Sequence, residues 1–219
     1  LGVIRTEELL AARSLDGAEQ FFTRAYDFGF SKSPDETLAK WGREDILEDI
    51  VRVIRTFRPD VIISRFFGTP LDGHGHHQAA GILTREAFFA AADSSRFPHQ
   101  IAAGLPPWRA ATLFWNEFRS SRGASPMEGS RGVTVDLGVY SPLLEQTYYQ
   151  LGLSAQNLHR SQLPPRLPRH RERLDGFRRL DVEGSGPSND LFDGMDLTLV
   201  RVAEVLPEVS TAAQQLRGE

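Results

Sequence analysis

Residues 58–81 read Arg-Pro-Asp-Val-Ile-Ile-Ser-Arg-Phe-Phe-Gly-Thr-Pro-Leu-Asp-Gly-His-Gly-His-His-Gln-Ala-Ala-Gly. The β-branched run that follows the proline predicts a short, fully apolar, buried strand over 60–64. A glycine-punctuated loop over 68–75 comes next, and it leads into a helix that we expect over 76–92. This order of strand, loop and helix is typical of an α/β fold, in which ligands collect at the carboxyl ends of the strands.

The segments on either side agree with this fold class. Apolar residues at helical spacing predict helices over 4–15 and 43–57, and Ser33-Pro34 predicts the start of another helix. The aromatic stretch 21–28 has the composition of a short strand. Downstream we expect strands over 111–116, 132–138 and 172–182, a helix over 141–160 broken near Gly152, and an amphipathic segment over 197–209.

The composition indicates a globular protein that is not specialised for nucleic acid. The 219 residues carry 25 Lys and Arg against 29 Asp and Glu, a net charge of −4, whereas dedicated nucleic-acid binders are normally strongly basic. The absence of cysteine excludes disulfides, cysteine-ligated metals and a thiol nucleophile. Because no apolar run approaches the roughly 20 residues that span a bilayer, we expect a soluble protein without a transmembrane segment. Its compartment stays open between a bacterial-type cytoplasm and export.

Histidines are concentrated at one place in the chain. Three of the six lie at positions 74, 76 and 77, on the loop after the predicted strand and at the start of the following helix. His74 and His77 share a face once the helix has begun, whereas His76 points elsewhere. This density favours a metal or catalytic role, and the alternative is a polar loop whose histidines bond to the backbone. Three histidines do not complete a zinc site, so further ligands would have to come from elsewhere.

The segments 58–63 and 74–81 resemble the LmbE/PIG-L family of zinc-dependent deacetylases, which remove the acetyl group from N-acetylglucosamine-type substrates. That family has a Pro-Asp-Val-Ile-Ile strand followed by a His-Pro-Asp-His motif. Other family motifs have counterparts along the chain, up to about residue 200. These are Arg5-Thr6-Glu7-Glu8 for Arg-x-x-Glu, Asp27-Phe28-Gly29-Phe30 for Asp-x-Gly-Phe, and His159-Arg160-Ser161-Gln162 for His-x-Ser-Gln.

The resemblance implies a fold, a cofactor and a set of site residues. The fold is a Rossmann-like three-layer α/β sandwich with a mostly parallel sheet, the cofactor is Zn²⁺, and the substrate is a small-molecule sugar conjugate. His77 takes the place of a metal ligand, His74 that of the catalytic histidine, and Arg5 that of a substrate-binding arginine. Supporting roles are implied for Asp72, His76, Asp27 and His159.

The chain departs from the family pattern in two ways. The first motif, His-Pro-Asp-Asp, does not occur in the 219 residues, and His76 stands where the family has an aspartate. We therefore expect residues 1–219 to form a single, N-terminally incomplete deacetylase domain that lacks its first strand and binds zinc weakly or not at all. The partner of this domain would be a second copy of the chain or the remainder of a longer parent chain. The alternative is a noncatalytic or degenerate carbohydrate-binding relative of the family.

Overall fold

The structure is a computed structural model that describes residues 1–117, 132–162, 164–167, 174–181 and 190–198. The chain divides into two compact units, Leu1–Ser188 and Asn189–Glu219. In the second unit the described residues contain a turn at 191–194, and the predicted amphipathic segment lies almost entirely outside them. The prediction of one domain over residues 1–219 stays a prediction.

The first unit contains six described helices, whose ends follow local capping signals. Their bounds are α1 Gly2–Asp16, α2 Pro34–Trp41, α3 Arg43–Phe57, α4 Gly75–Ala90, α5 Pro98–Ala102 and α6 Tyr148–Gln156. Helix α1 ends at Gly17, which is left-handed with φ 72°, and α2 begins where the Ser33 side chain accepts the backbone N–H of Glu36. No helix in the described ranges is both long and apolar enough to cross a membrane.

The strands form a mixed sheet and a small hairpin. Strands β1 Val61–Ser64, β2 Thr112–Glu117, β3 Val133–Asp136 and β6 Leu174–Arg179 lie in the order β1-β2-β6-β3, and β4 Tyr140–Ser141 pairs with β5 Gln146–Thr147. The predicted α/β class is confirmed. The described part of the sheet is mixed rather than mostly parallel, because β1 and β2 are parallel whereas β6 runs antiparallel to both of its neighbours.

The main core lies between α3 and α4, beside β1. Its buried residues are Ile46, Leu47, Val51, Ile54, Leu83, Ala87, Ala90 and Ala91, and Ile62 of β1 packs against them. The side chain of Ile63 alternates to the other side of β1 and is 47% exposed. The prediction of a fully buried strand is therefore wrong for this residue, because β1 ends the described strand order and its outward position is only partly covered.

The aromatic stretch 21–28 is not a strand, contrary to the prediction. It lies as an irregular segment along α2 and α3 and bonds to them instead of to a neighbouring strand. The Arg24 side chain donates to the Asp49 carboxylate at 2.7 Å, and Trp41 Nε1 donates to the Tyr26 carbonyl at 2.8 Å. The segment is therefore held by side-chain contacts with helices, and not by the backbone hydrogen bonds to a strand that its aromatic composition predicted.

The predicted helix over 141–160 is also shorter than expected. Residues 140–147 form the β4–β5 hairpin, and α6 begins only at Tyr148, where Thr147 and Gln150 cap its first turn reciprocally. Leu143, within the hairpin, is 96% exposed. Gly152 lies inside α6 and does not break it.

Arg55 is the largest fully buried side chain of the described residues, with 1% exposure. Its guanidinium donates to the carbonyls of Ala91 at 3.2 Å, Asp93 at 2.9 Å and Arg96 at 2.9 Å, and to Gln100 Oε1 at 3.3 Å. Burial lowers the pKa of Arg55, and the charge of Asp93 opposes this shift. The fork of Arg55 therefore closes the end of α4 and the following loop onto α3.

Replacing Arg55 with lysine should destabilise the protein, because an ammonium group cannot reach the same set of carbonyls. We expect the Arg55→Lys variant to lose about 2–3 kcal/mol of unfolding free energy, measured by equilibrium unfolding in urea. The control is Arg52→Lys on the same helix, whose side chain is 51% exposed and which should change stability by less than about 0.5 kcal/mol. Equal losses in the two variants would contradict the role given to Arg55.

Candidate functional site

The loop between β1 and α4 is held by one carboxylate. Asp72, at the end of the 3₁₀ turn Pro70–Asp72, accepts the backbone N–H groups of Phe67 at 3.2 Å, Gly68 at 2.6 Å and Thr69 at 2.9 Å. A carboxylate that bonds to several backbone donors closes a loop into a compact turn. Asp72, expected in a supporting role, is thus engaged in shaping the loop that carries the histidines.

Two glycines allow α4 to approach the rest of the chain closely. The N–H of Gly75 donates to the carbonyl of Ser31 at 2.9 Å, and a Cβ at Gly75 would overlap the Ser33 carbonyl. A Cβ at Gly81 would lie 2.5 Å from the backbone nitrogen of Gly68. Because these neighbours are backbone atoms that cannot move independently, both positions require glycine. The histidines at the start of α4 are therefore fixed relative to the 31–33 segment and to the β1 loop.

His77 is held in one orientation by a hydrogen bond and a ring contact. Its Nδ1 lies 3.0 Å from the backbone carbonyl of Asp72, and its half-buried ring stacks on Phe66 with centroids 4.2 Å apart and planes 7° apart. Because a carbonyl oxygen only accepts, Nδ1 carries the proton and Nε2 keeps its lone pair in the neutral ring. A backbone partner on one nitrogen is the usual way to orient a histidine whose other nitrogen binds a metal.

His74 lies beside His77, as the spacing predicted. It occupies the N-cap of α4, is exposed, and stacks on His77 with centroids 5.3 Å apart and planes 11° apart. Phe30 packs edge-on against the His74 ring at 4.6 Å. Asp27 accepts the N–H of Gly29 at 2.9 Å in a tight turn, so this aspartate shapes the segment that delivers Phe30.

His76 lies away from this pair. Its ring contacts Phe28 at 4.6 Å and Trp41 at 5.3 Å, in an aromatic cluster with α2. Helical phase accounts for the separation, because residues 76 and 77 are 100° apart around the axis. No hydrogen bond, ion pair or ring contact joins His76 to His74 or His77 in the described ranges, so a direct role beside them has no contact to support it.

Arg5 and His159 belong to a second cluster, centred on Glu8. The carboxylate of Glu8 accepts the hydroxyl of Ser161 at 2.7 Å and the N–H of Ser161 at 2.6 Å. The Ser161 hydroxyl hydrogen bond holds the pKa of Glu8 below its ordinary value against partial desolvation, and the Ser161 N–H, His159 and Arg5 act in the same direction. The structure therefore joins the Arg-x-x-Glu and His-x-Ser-Gln motifs, which are distant in the sequence.

Arg5 is exposed. Within the part of the chain that the structure describes, no hydrogen bond or ring contact joins Arg5 or His159 to His74 or His77. The described structure therefore brings three of the seven predicted site residues together, namely His74, His77 and Asp72. Asp27 shapes the turn before Phe30, and His159 acts on Glu8 in the second cluster.

Two residues that contact the histidine pair were not predicted as site residues from the sequence. Phe66 lies against one face of His77, and Phe30 lies against His74. The position of Phe66, just past the end of a strand at its carboxyl edge, is the signal that could have identified it. Phe30 was visible only as the last residue of the Asp-x-Gly-Phe motif, with nothing local to connect it with residue 74.

The zinc ion implied by the resemblance fits His77 but not a complete ligand set. Nε2 of His77 has the lone pair that zinc requires. Among the described residues, no group of three or more histidine, aspartate or glutamate side chains could hold a metal. Catalytic zinc sites use three protein ligands, so these residues supply only part of such a set.

The close approach at Gly75 gives a prediction about the site. In Gly75→Ala the new Cβ must push α4 away from Ser33, so we expect a loss of about 2 kcal/mol or more in unfolding free energy and shifted NMR signals of His74 and His77. The control is Gly152→Ala in α6, where a Cβ would meet nothing within 4 Å. That variant should be stabilised by about 0.5–1 kcal/mol, and similar losses in both variants would contradict the close packing at Gly75.

The contact between Glu8 and Ser161 should depend on pH. A lowered pKa in the folded state means that the contact stabilises the protein above the ordinary value of 4.5 and is lost as pH falls through the lower, folded value. We expect the Ser161 amide chemical shift to titrate with an apparent pKa below 4.5. In Glu8→Gln the shift should stay flat over the same range. A wild-type midpoint at or above 4.5 would contradict the bonding described here.

The chain is similar to known proteins in part of its sequence and in its fold. Residues 1–88 match the family model described as PIG-L, GlcNAc-PI de-N-acetylase. The chain is similar in structure to an N,N'-diacetylchitobiose deacetylase from Pyrococcus horikoshii complexed with its inhibitor MPG, with a TM-score of 0.50 and 20% identity, over 74% of this chain and 51% of that chain. At this identity the likeness shows the fold, and this chain spans about half the length of the other. No curated protein matches the chain.

The match covers the region where the sequence and structural observations meet. Residues 1–88 contain α1, β1, the loop closed by Asp72, and the His74-x-x-His77 pair at the start of α4. The resemblance identified from the sequence motifs is confirmed over this range. Residues 1–88 of the chain are thus the part that matches the PIG-L family model.

Proposed function

We propose that this protein is a zinc-dependent hydrolase that removes the acetyl group from an N-acetylglucosamine-type sugar or conjugate. The observation that carries the proposal is the His74–His77 pair at the start of α4, after the loop that follows the parallel strand β1 and within the PIG-L match. In open α/β sheets this edge is where ligands bind. The proposal includes the single domain over residues 1–219.

His77 is the proposed metal ligand. The Asp72 carbonyl holds the Nδ1 proton and leaves the Nε2 lone pair available, and the stacked Phe66 ring limits rotation of the imidazole. When bound, zinc would lower the pKa of a water molecule to about 7 and polarise the acetyl carbonyl. The remaining ligands of a complete site would have to come from outside the described residues.

His74 is the proposed catalytic residue. Its exposed ring lies against His77, so an acetamido group bound near His77 would be within its reach. An imidazole N–H there can donate to the oxyanion of the tetrahedral intermediate or pass a proton to the departing amine. Hydrolysis then balances as one water consumed and one acetate and one free amine released.

The other predicted site residues take indirect roles in this proposal. Asp72 uses its carboxylate for three backbone donors, so it positions the loop and is not the base that removes a proton from water. Arg5, exposed on α1, is the proposed contact for sugar hydroxyls or an anionic group through its planar fork of donors. Asp27 and His159 support the segments that carry Phe30 and Ser161, and a supporting role for His76 acts through its packing on α2.

The second candidate function is a noncatalytic carbohydrate-binding relative of the family. The observation that favours it is that the histidine pair has no third metal-ligating side chain beside it among the described residues. This candidate retains sugar binding without acetate release, which separates it from the deacetylase by experiment.

Substitution of the two histidines tests the proposed function. At saturating zinc, we expect His77→Ala to bind less zinc than the wild type and to lose acetate release from N-acetylglucosamine conjugates. We expect His74→Ala to retain its zinc content and lose about 10²–10⁴-fold in kcat, because the ligand remains and the proton donor is gone. Zinc is measured by elemental analysis and acetate by a coupled assay.

His76→Phe is the matched control, since it keeps an aromatic ring against Phe28 and Trp41 and leaves the stacked pair intact. Its activity should remain within a few-fold of wild type. Full metal occupancy in His77→Ala would remove His77 from the ligand set. Sugar binding by wild-type protein without any acetate release at saturating zinc would favour the noncatalytic relative.

A further inference from the structure

A groove lies between helix α4 and the loop that joins β1 to this helix. It has a volume of about 350 Å³ and is lined by Phe67, Gly68, Thr69, Ile82, Arg85, Glu86 and Phe89. Its walls are mostly apolar, and Phe89 is 54% exposed at the rim. A groove of this size can hold a ligand about as large as one aromatic ring with a polar group.

Arg85 gives the groove a positive charge that the described protein does not neutralise. Its Nε atom is buried and has no hydrogen-bond partner among the described residues, and no ion pair joins Arg85 to a carboxylate in the same ranges. The guanidinium lies over the Phe67 ring at 4.8 Å, which holds it against the groove wall. Because no carboxylate of the described residues pairs with this guanidinium, an anion bound in the groove would gain a charge-assisted hydrogen bond from it.

Glu86 also lines this groove, but its carboxylate does not pair with Arg85. Glu86 pairs with Arg43 at 2.6 Å and lies 3.8 Å from Arg96. These two arginines compensate the charge of Glu86, so the groove keeps the net positive character of Arg85. Charge complementarity therefore favours an anion with an apolar body over a neutral or cationic molecule.

We propose that this groove binds a small carboxylate with an apolar body, whose oxygens pair with Arg85 and whose body packs between Phe67, Ile82 and Phe89. The site is separate from the His74–His77 pair and does not depend on the deacetylase proposal. It shares Phe67, Gly68 and Thr69 with the turn that Asp72 closes, so a bound ligand would contact the loop that orients His77.

The requirements for a charge and for an apolar body can be tested separately with three probes, namely benzoate, benzamide and acetate. Titration of the full chain, followed by amide NMR shifts and isothermal calorimetry, should give saturable benzoate binding with shifts confined to the groove residues. Benzamide lacks the charge and acetate lacks the ring, so each should bind at least about tenfold more weakly. Arg85→Gln should lose about tenfold or more in benzoate affinity.

Arg109→Gln is the matched control, since Arg109 is exposed and does not line the groove. It should bind benzoate like the wild type. Phe89→Ala keeps the charge and removes one wall, so it should weaken benzoate binding and leave acetate binding unchanged. Benzamide binding as tightly as benzoate, equal affinities of Arg85→Gln and wild type, or no saturable benzoate binding at millimolar concentration would each overturn the proposal.

Discussion

The carboxylate of Asp72 determines the geometry of the candidate site. By accepting three consecutive backbone N–H groups it closes the turn after β1, and its own carbonyl then meets Nδ1 of His77. The same residue thus fixes the path of the loop and the tautomer of the histidine. Phe66 and His74 both stack on the His77 ring, whose orientation the Asp72 carbonyl fixes.

Elements governed by neighbouring residues could be predicted from the sequence, and those governed by distant contacts could not. Ser33 and Gly17 set helix ends through bonds within a few residues, and the helix over 43–57 was found with its observed bounds. The aromatic stretch 21–28 failed as a strand, because its partners are Asp49 and Trp41 on helices. A composition typical of strands shows that a segment can form a strand, but it does not determine which other segment it contacts.

The site shows the same division. The neighbourhood of His74 and His77 follows from helical spacing alone, and the divergence of His76 follows from the same phase. Phe30 reaches His74 only because a turn at Asp27 and the close approach at Gly75 bring two separate segments together. No sequence pattern predicts the burial of Arg55, since it depends on carbonyls that are 35–45 residues away along the chain. No local pattern distinguishes such an arginine from the exposed one at position 52.

The meeting of Glu8 with Ser161 changes how two of the family motifs are understood. Arg-x-x-Glu and His-x-Ser-Gln are joined by a carboxylate that accepts both a hydroxyl and a backbone N–H, across 153 residues of sequence. A carboxylate with two donors from one residue acts as a structural tie, and it fixes α1 against the segment that follows α6. The glutamate and serine of these motifs are therefore accounted for by packing within the chain. Arg5 of the first motif is exposed and acts electrostatically on Glu8, and the substrate contact proposed for it would be a second role.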